Sequence, residues 1–127
     1  MLAYVTVGSN DLAAARAFYD VVLATLGYVR ITDAGHEIGY GAPGGKTLFW
    51  VLTPFNKQKA TFGNGVDVAF EAPSRAAVDA FHAAALAQGG MDEGGPGLRS
   101  GYSPTFYTAY VRDLDGNKLN AVFDREP

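Results

Sequence analysis

The feature that most constrains this chain is that one segment of it is written twice. Residues 5–27 read VTVGSNDLAAARAFYDVVLATLG and residues 68–90 read VAFEAPSRAAVDAFHAAALAQGG, and the two align without a gap. Phe18, Leu23 and Gly27 recur as Phe81, Leu86 and Gly90, each 63 residues on. A common offset at large, aliphatic and turn residues points to duplication of one supersecondary unit, so whatever fold suits one half must suit the other.

Each copy opens on a short run rich in β-branched or aromatic residues, residues 2–7 and 66–70, which predicts a strand. Polar caps follow. Asn10 or Asp11 can accept from the open N–H groups of a first helix, and Ser74 can do so for a second. Leu12, Ala15, Phe18 or Tyr19, Val22 and Leu26 keep one apolar face on the first helix; Val78, Phe81, Ala85 and Leu86 keep one on the second. Gly27 and the Gly89-Gly90 pair end them, because glycine takes the left-handed cap without a Cβ clash.

Three strand candidates follow each helix. In the first half they are residues 28–32, 37–40 and 47–52. In the second they are a weak one near Met91, then 106–112 and 118–123, the last two joined by Asp115-Gly116, a hairpin signal in which both central residues take positive φ. Residues 92–104, rich in glycine and proline, read as a loop that can reach over a cavity. The expectation is an α+β fold in a single domain of residues 1–127. It comprises two tandem βαβββ units, about 1–53 and 65–127, forming a cupped, mostly antiparallel sheet with the helices on its outer face.

Bulk properties set the function classes aside in turn. A chain of 127 residues that is 48% hydrophobic and 18% charged can bury a core. A net charge of -3 gives no one-signed basic surface for nucleic acid or anionic lipid. The absence of cysteine removes disulfides, thiolate nucleophiles and cysteine-ligated zinc together. No run approaches the length of a membrane span, and no export signal precedes the first strand, so a cytoplasmic, non-membrane protein is expected.

The opening residues 5–28, the central GNGVDVAFEAPSRAAVDAFHAAALAQGG and the closing VRDLDGNKLNAVF, taken in that order, resemble the vicinal oxygen chelate superfamily. That group comprises glyoxalases, bleomycin-resistance proteins and extradiol dioxygenases. The D-x-D-G-N segment and the F-Y-x-x-x-L-x-x-L-G-Y pattern carry the resemblance in combination. It implies a ligand bound inside the cup and a homodimer that completes it. It also implies metal-ligating His or Glu on the first and last strand of each unit. In this chain those positions fall at Tyr4, at Asp67, at Asn120 and at one of Leu48, Phe49 or Trp50, which the sequence leaves open.

A first-row divalent ion needs three or four imidazole or carboxylate donors, and this set offers one good one, Asp67. The expectation is therefore no metal and no other cofactor. Asp67 is read as hydrogen-bonding the Tyr4 hydroxyl and the Asn120 amide in place of an ion, with an acid–base role for Asp67 and Tyr4 as the competing assignment. Phe49, Trp50, Phe106, Tyr107 and Tyr110 make the cup strands aromatic, and alternation sends some of each pair to the concave face. Arg99 and Tyr102, in the glycine-rich loop, are placed to close over an anionic or planar ligand. His82 reads as a core-edge histidine and His36 as a turn residue. The functional expectation is a protein that binds a small apolar or aromatic molecule in a cup without metal ligands. A lyase, isomerase or dioxygenase-type enzyme with an atypical site is the alternative.

Overall fold

The computed structural model describes residues 1–127. The chain runs β1 (Val5–Gly8), α1 (Leu12–Ala24), β2 (Val29–Asp33), β3 (Glu37–Gly41) and β4 (Phe49–Leu52) in its first unit. It continues with β5 (Val68–Glu71), α2 (Arg75–Ala87), β6 (Met91–Leu98), β7 (Phe106–Arg112) and β8 (Lys118–Asp124) in its second. The two units are βαβββ and the class is α+β, as the repeat requires. Strand and helix bounds of β1, α1, β5 and α2 reproduce the 63-residue offset at both ends. The caps do too: Asp11 accepts from the Ala14 N–H and Ser74 from the Ala77 N–H.

The strands form two four-stranded sheets in the orders β1-β4-β3-β2 and β5-β8-β7-β6. In each, the first strand pairs in parallel with the last and the other pairings are antiparallel. Helix α1 packs on β2, β3 and β4, helix α2 on β6, β7 and β8, and the helices touch each other. One face of each sheet is thus sealed by a helix and the other is left open. A single apolar cluster, including Tyr19, Val22, Phe49 and Val51 from the first unit and Val78, Phe81, Val111 and Leu119 from the second, runs through both.

Two expectations are corrected. The glycine- and proline-rich stretch after Met91 is a strand through Leu98, paired with β7 across two irregularities of register. An edge strand offers only every other residue to its neighbour, so Gly95 and Pro96 sit within a bulge and leave the ladder intact on either side. The turn between β7 and β8 has positive φ at Gly116 alone, 85°, and not at Asp115. It is held instead by the Asp113 carboxylate, which accepts from the backbone N–H of Asp115 at 2.9 Å and of Asn117 at 2.8 Å.

Candidate functional site

The register of the sheets settles which residues occupy equivalent places. β1 sets Thr6 opposite Trp50, and β5 sets Ala69, 63 residues after Thr6, opposite Asn120. Trp50 is therefore the counterpart of Asn120, the choice the sequence left open. Across the next strand Gly39 faces Trp50 and Tyr110 faces Asn120. The first sheet thus pairs a large indole with a glycine, whose missing Cβ would lie 3.0 Å from the ring. The second pairs a phenol with a short amide.

In the second sheet these positions build a polar chain. Asp67 immediately precedes β5, and Asn120, 2% exposed, lies beside it on β8. With its Nδ2 turned outward, Asn120 donates to Asp67 Oδ2 at 2.8 Å and to Oδ1 at 3.3 Å, while its Oδ1 accepts from Thr108 Oγ1 at 3.0 Å. The opposite orientation has Nδ2 donating to Thr108 Oγ1, which itself donates to the Ala121 carbonyl at 2.7 Å. An ionised Asp67 can only accept, so it selects the first arrangement; a protonated Asp67 can donate to Oδ1 and selects the second. Burial pushes the Asp67 carboxyl above its ordinary value, and the nearby Lys118 ammonium opposes that push.

Asp67 borders an open hollow of about 510 Å³ lined also by Glu93, Arg99, Tyr102, Tyr110 and Lys118. Tyr102 stacks at a tilt on Phe106, ring centroids 5.0 Å apart, so the hollow has an aromatic flank. Burial raises the Tyr110 hydroxyl, and neighbouring Tyr102 and Asp67 add to the effect. Of the residues read from the sequence, the structure brings Asp67, Asn120, Arg99 and Tyr102 together here.

Tyr4 is elsewhere. It precedes β1, is 59% exposed and makes no hydrogen bond, so the expected Tyr4–Asp67 bond is absent. The cause is the duplication itself: equivalent positions sit on two separate sheets, and Asp67 finds its partner, Asn120, within its own. Trp50 lies in the first sheet, whose strand β1 begins just after Tyr4. Phe49 and Tyr107 point the other way, toward the helices. Phe49 is 3% exposed and packs edge-on against Tyr19 and Phe70 at 5.1 and 5.0 Å, where it helps line a separate apolar cleft of about 410 Å³ with Val5, Tyr28, Leu48 and Phe70. The Tyr107 hydroxyl donates to Asp79 of α2 at 2.6 Å, and Arg75 lies over its ring. Strand alternation that delivers Trp50 and Tyr110 to the open faces takes these two out of them. Tyr28, lining the cleft, donates its hydroxyl to the Glu71 carbonyl at 2.8 Å.

Of the histidines, His82 is paired with Asp92 of β6 at 2.9 Å and His36 is exposed in its turn. Sequence reading missed Lys118, Glu93 and Thr108. Lys118 was findable, since it lies two residues before Asn120 and shares its face. Glu93 lies in the stretch whose glycine and proline content reads as a loop, so nothing in the sequence marks it.

A family model for the Glyoxalase/Bleomycin resistance protein/Dioxygenase superfamily matches residues 1–121. A crystal structure of a glyoxalase/bleomycin resistance protein from Albidiferax ferrireducens is 44% identical, covers 96% of this chain and 98% of its own, and superposes with a TM-score of 0.88. A lactoylglutathione lyase from Agrobacterium tumefaciens, 20% identical over 96% of this chain and 91% of its own with a TM-score of 0.64, has the same fold. So does a fosfomycin resistance protein from Listeria monocytogenes, 17% identical over the same shares with a TM-score of 0.67. No curated protein matches.

Proposed function

Since this chain belongs to the glyoxalase, bleomycin resistance protein and dioxygenase superfamily, we propose that it binds a small aromatic or otherwise planar molecule, without a metal ion, in the hollow over its second sheet. The observation that carries this is the convergence of Tyr110, Tyr102 and Arg99 around the Asp67–Asn120 pair in one open cavity. Flat apolar surface for stacking beside a few directional polar groups is what orients a small ligand.

The donors do not fit the ion such a cup would hold. Asp67 is the one carboxylate among the four equivalent positions, and Asn120 engages it with its amide nitrogen, which has no lone pair to offer. Trp50 contributes an indole, and the Lys118 ammonium lines the same hollow as Asp67. A neighbouring cation disfavours a second one.

A second copy of the chain completes the cup in this reading. β1 and β5 each end a sheet with one side unpaired, and Leu2, Tyr4, Leu48 and Val66, all exposed, flank the starts of β1, β4 and β5. Exposed strand edges beside apolar side chains favour association. An enzymatic reading rests on Asp67 alone, a carboxyl raised by burial at the edge of a cavity and so suited to proton transfer.

A thermal-shift screen against a panel of aromatic and amphiphilic compounds tests binding. At least one compound is expected to raise Tm by several degrees, through its preference for the folded state, and to lose the effect in Tyr110→Ala. No shift from a broad panel contradicts the proposal. Near-stoichiometric Ni, Zn, Mn or Fe in protein purified without chelator, lost in Asp67→Ala, contradicts its metal-free part.

A further inference from the structure

The charges around the hollow are not evenly paired. Arg112 is neutralised by Glu93, Nε to Oε1 at 2.6 Å. Arg99 and Lys118 form no salt bridge, yet both lie on the ring of Tyr110, the guanidinium 5.9 Å and the ammonium 5.2 Å from its centroid. Both cations also line the hollow, so it carries positive charge that no salt bridge there balances. A ligand group carrying negative charge supplies the missing counter-charge.

Arg99 is also held for the purpose. Its Nη2 donates to the Gly95 carbonyl at 2.7 Å. A Cβ on Gly94 would stand 3.3 Å from Nη2, and one on Gly97 would stand 3.2 Å from Nη1. The glycines of β6 therefore leave the room that lets the guanidinium approach the strand closely. Gly94, with φ of 151°, is in a conformation that side chains rarely take. The Arg99 backbone is fixed as well, its N–H donating to the Phe106 carbonyl at 2.8 Å and its carbonyl accepting from Tyr102 at 3.0 Å. A guanidinium so fixed loses little entropy on binding, and its remaining N–H groups match a planar two-oxygen acceptor.

Resting on the hollow as the binding site, we infer that the ligand is an organic carboxylate whose carboxyl group sits between Arg99 and Lys118 while its flat body lies against Tyr110 and Tyr102. Asp67 is the one unpaired anion in the same hollow. Burial shifts its carboxyl toward the neutral form, which lessens its repulsion of a ligand carboxylate, and its own hydrogen-bond partner is the Asn120 amide.

Calorimetric titration with benzoate, its neutral isostere benzamide and phenylphosphonate, on wild type, Arg99→Met and Lys118→Met, tests this. Both residues are surface-reaching, so the variants keep the core. The expected result is benzoate affinity about tenfold or more above that of benzamide, weakened by added salt. Each variant should lower benzoate affinity about tenfold and leave benzamide within about twofold. Equal binding of benzoate and benzamide, unmoved by either variant, overturns the anion assignment while the hollow stands as a site. Phenylphosphonate favoured over benzoate by more than about tenfold overturns the carboxylate assignment. Heat from none of the three removes the hollow as a site for such molecules and the inference with it.

Discussion

The Tyr19 hydroxyl, on the helix of the first unit, donates a 2.5 Å hydrogen bond to Asp113 Oδ2 at the turn between the last two strands of the second. Asp113 is 4% exposed, and the same oxygen accepts from Asn117 Nδ2 at 2.9 Å, while Asn117 Nδ2 also reaches the Gly8 carbonyl at the end of β1. The D-x-D-G-N segment is thus a clasp. Its first aspartate shapes its own turn through two backbone N–H groups and locks that turn to the other half of the molecule. Burial raises the Asp113 carboxyl, and the bonds from Tyr19 and Asn117 hold it down in part. The Tyr19 hydroxyl is raised well above its usual range, first by burial and then by the Asp113 charge.

Tyr19→Phe removes the donor and leaves a buried carboxylate short of one partner. The expected loss is about 1–3 kcal/mol of unfolding free energy, read by urea denaturation. Phe18→Tyr, which adds a hydroxyl to the same helix turn, should not restore it. A change below about 0.5 kcal/mol would show the clasp to be incidental.

Asp67→Asn should change how stability depends on pH. The folded Asp67 carboxyl titrates above its unfolded value of 3.8. Below 3.8 both states hold the proton and the group has no effect; as pH rises from there toward the folded value, the unfolded state ionises first and stability declines, levelling once the folded group has ionised. The groups facing it are Lys118, Arg99, Glu93, Tyr102 and Tyr110 around the hollow, with Arg112 beside Glu93. Denaturation midpoints of variant and wild type should agree near pH 4 and separate in favour of the variant toward pH 7. A gap that is constant with pH contradicts the assignment.

How far the sequence could be read depended on the kind of signal each residue carries. The offset between Phe18 and Phe81, and between Asp11 and Ser74, survives into three dimensions because caps and apolar faces are local, periodic properties. The conformation of the second helix end slips by one residue: Gly27 and Gly89, not Gly90, take positive φ. The second unit's β6 was hidden because its ladder tolerates Gly95 and Pro96 in a bulge, which no propensity anticipates. At the site, Asp67 and Asn120 were legible as neighbours, since both follow from the repeat and the last strand. Tyr4 was misplaced because sequence equivalence says which positions correspond and is silent on whether one chain brings them together. Phe49 and Tyr107 needed the register, which a shift of one residue reverses.

Light scattering coupled to size exclusion addresses assembly. The unpaired edges of β1 and β5, with exposed Tyr4, Leu48 and Val66 beside them, predict a dimer at micromolar concentration. Leu48→Asp and Val66→Asp together should shift it to monomer, and a wild-type monomer at high concentration would contradict the dimeric cup.

The central claim is that the open face of the second sheet is where a small planar molecule binds. Backbone amide shifts recorded by NMR during titration with an aromatic compound selected by thermal shift test it most directly. The account predicts that the largest changes fall at Asp67, Gly94, Arg99, Tyr110 and Asn120. Changes centred on Phe49 and Phe70 in the apolar cleft, with the β6–β7–β8 face undisturbed, would contradict it.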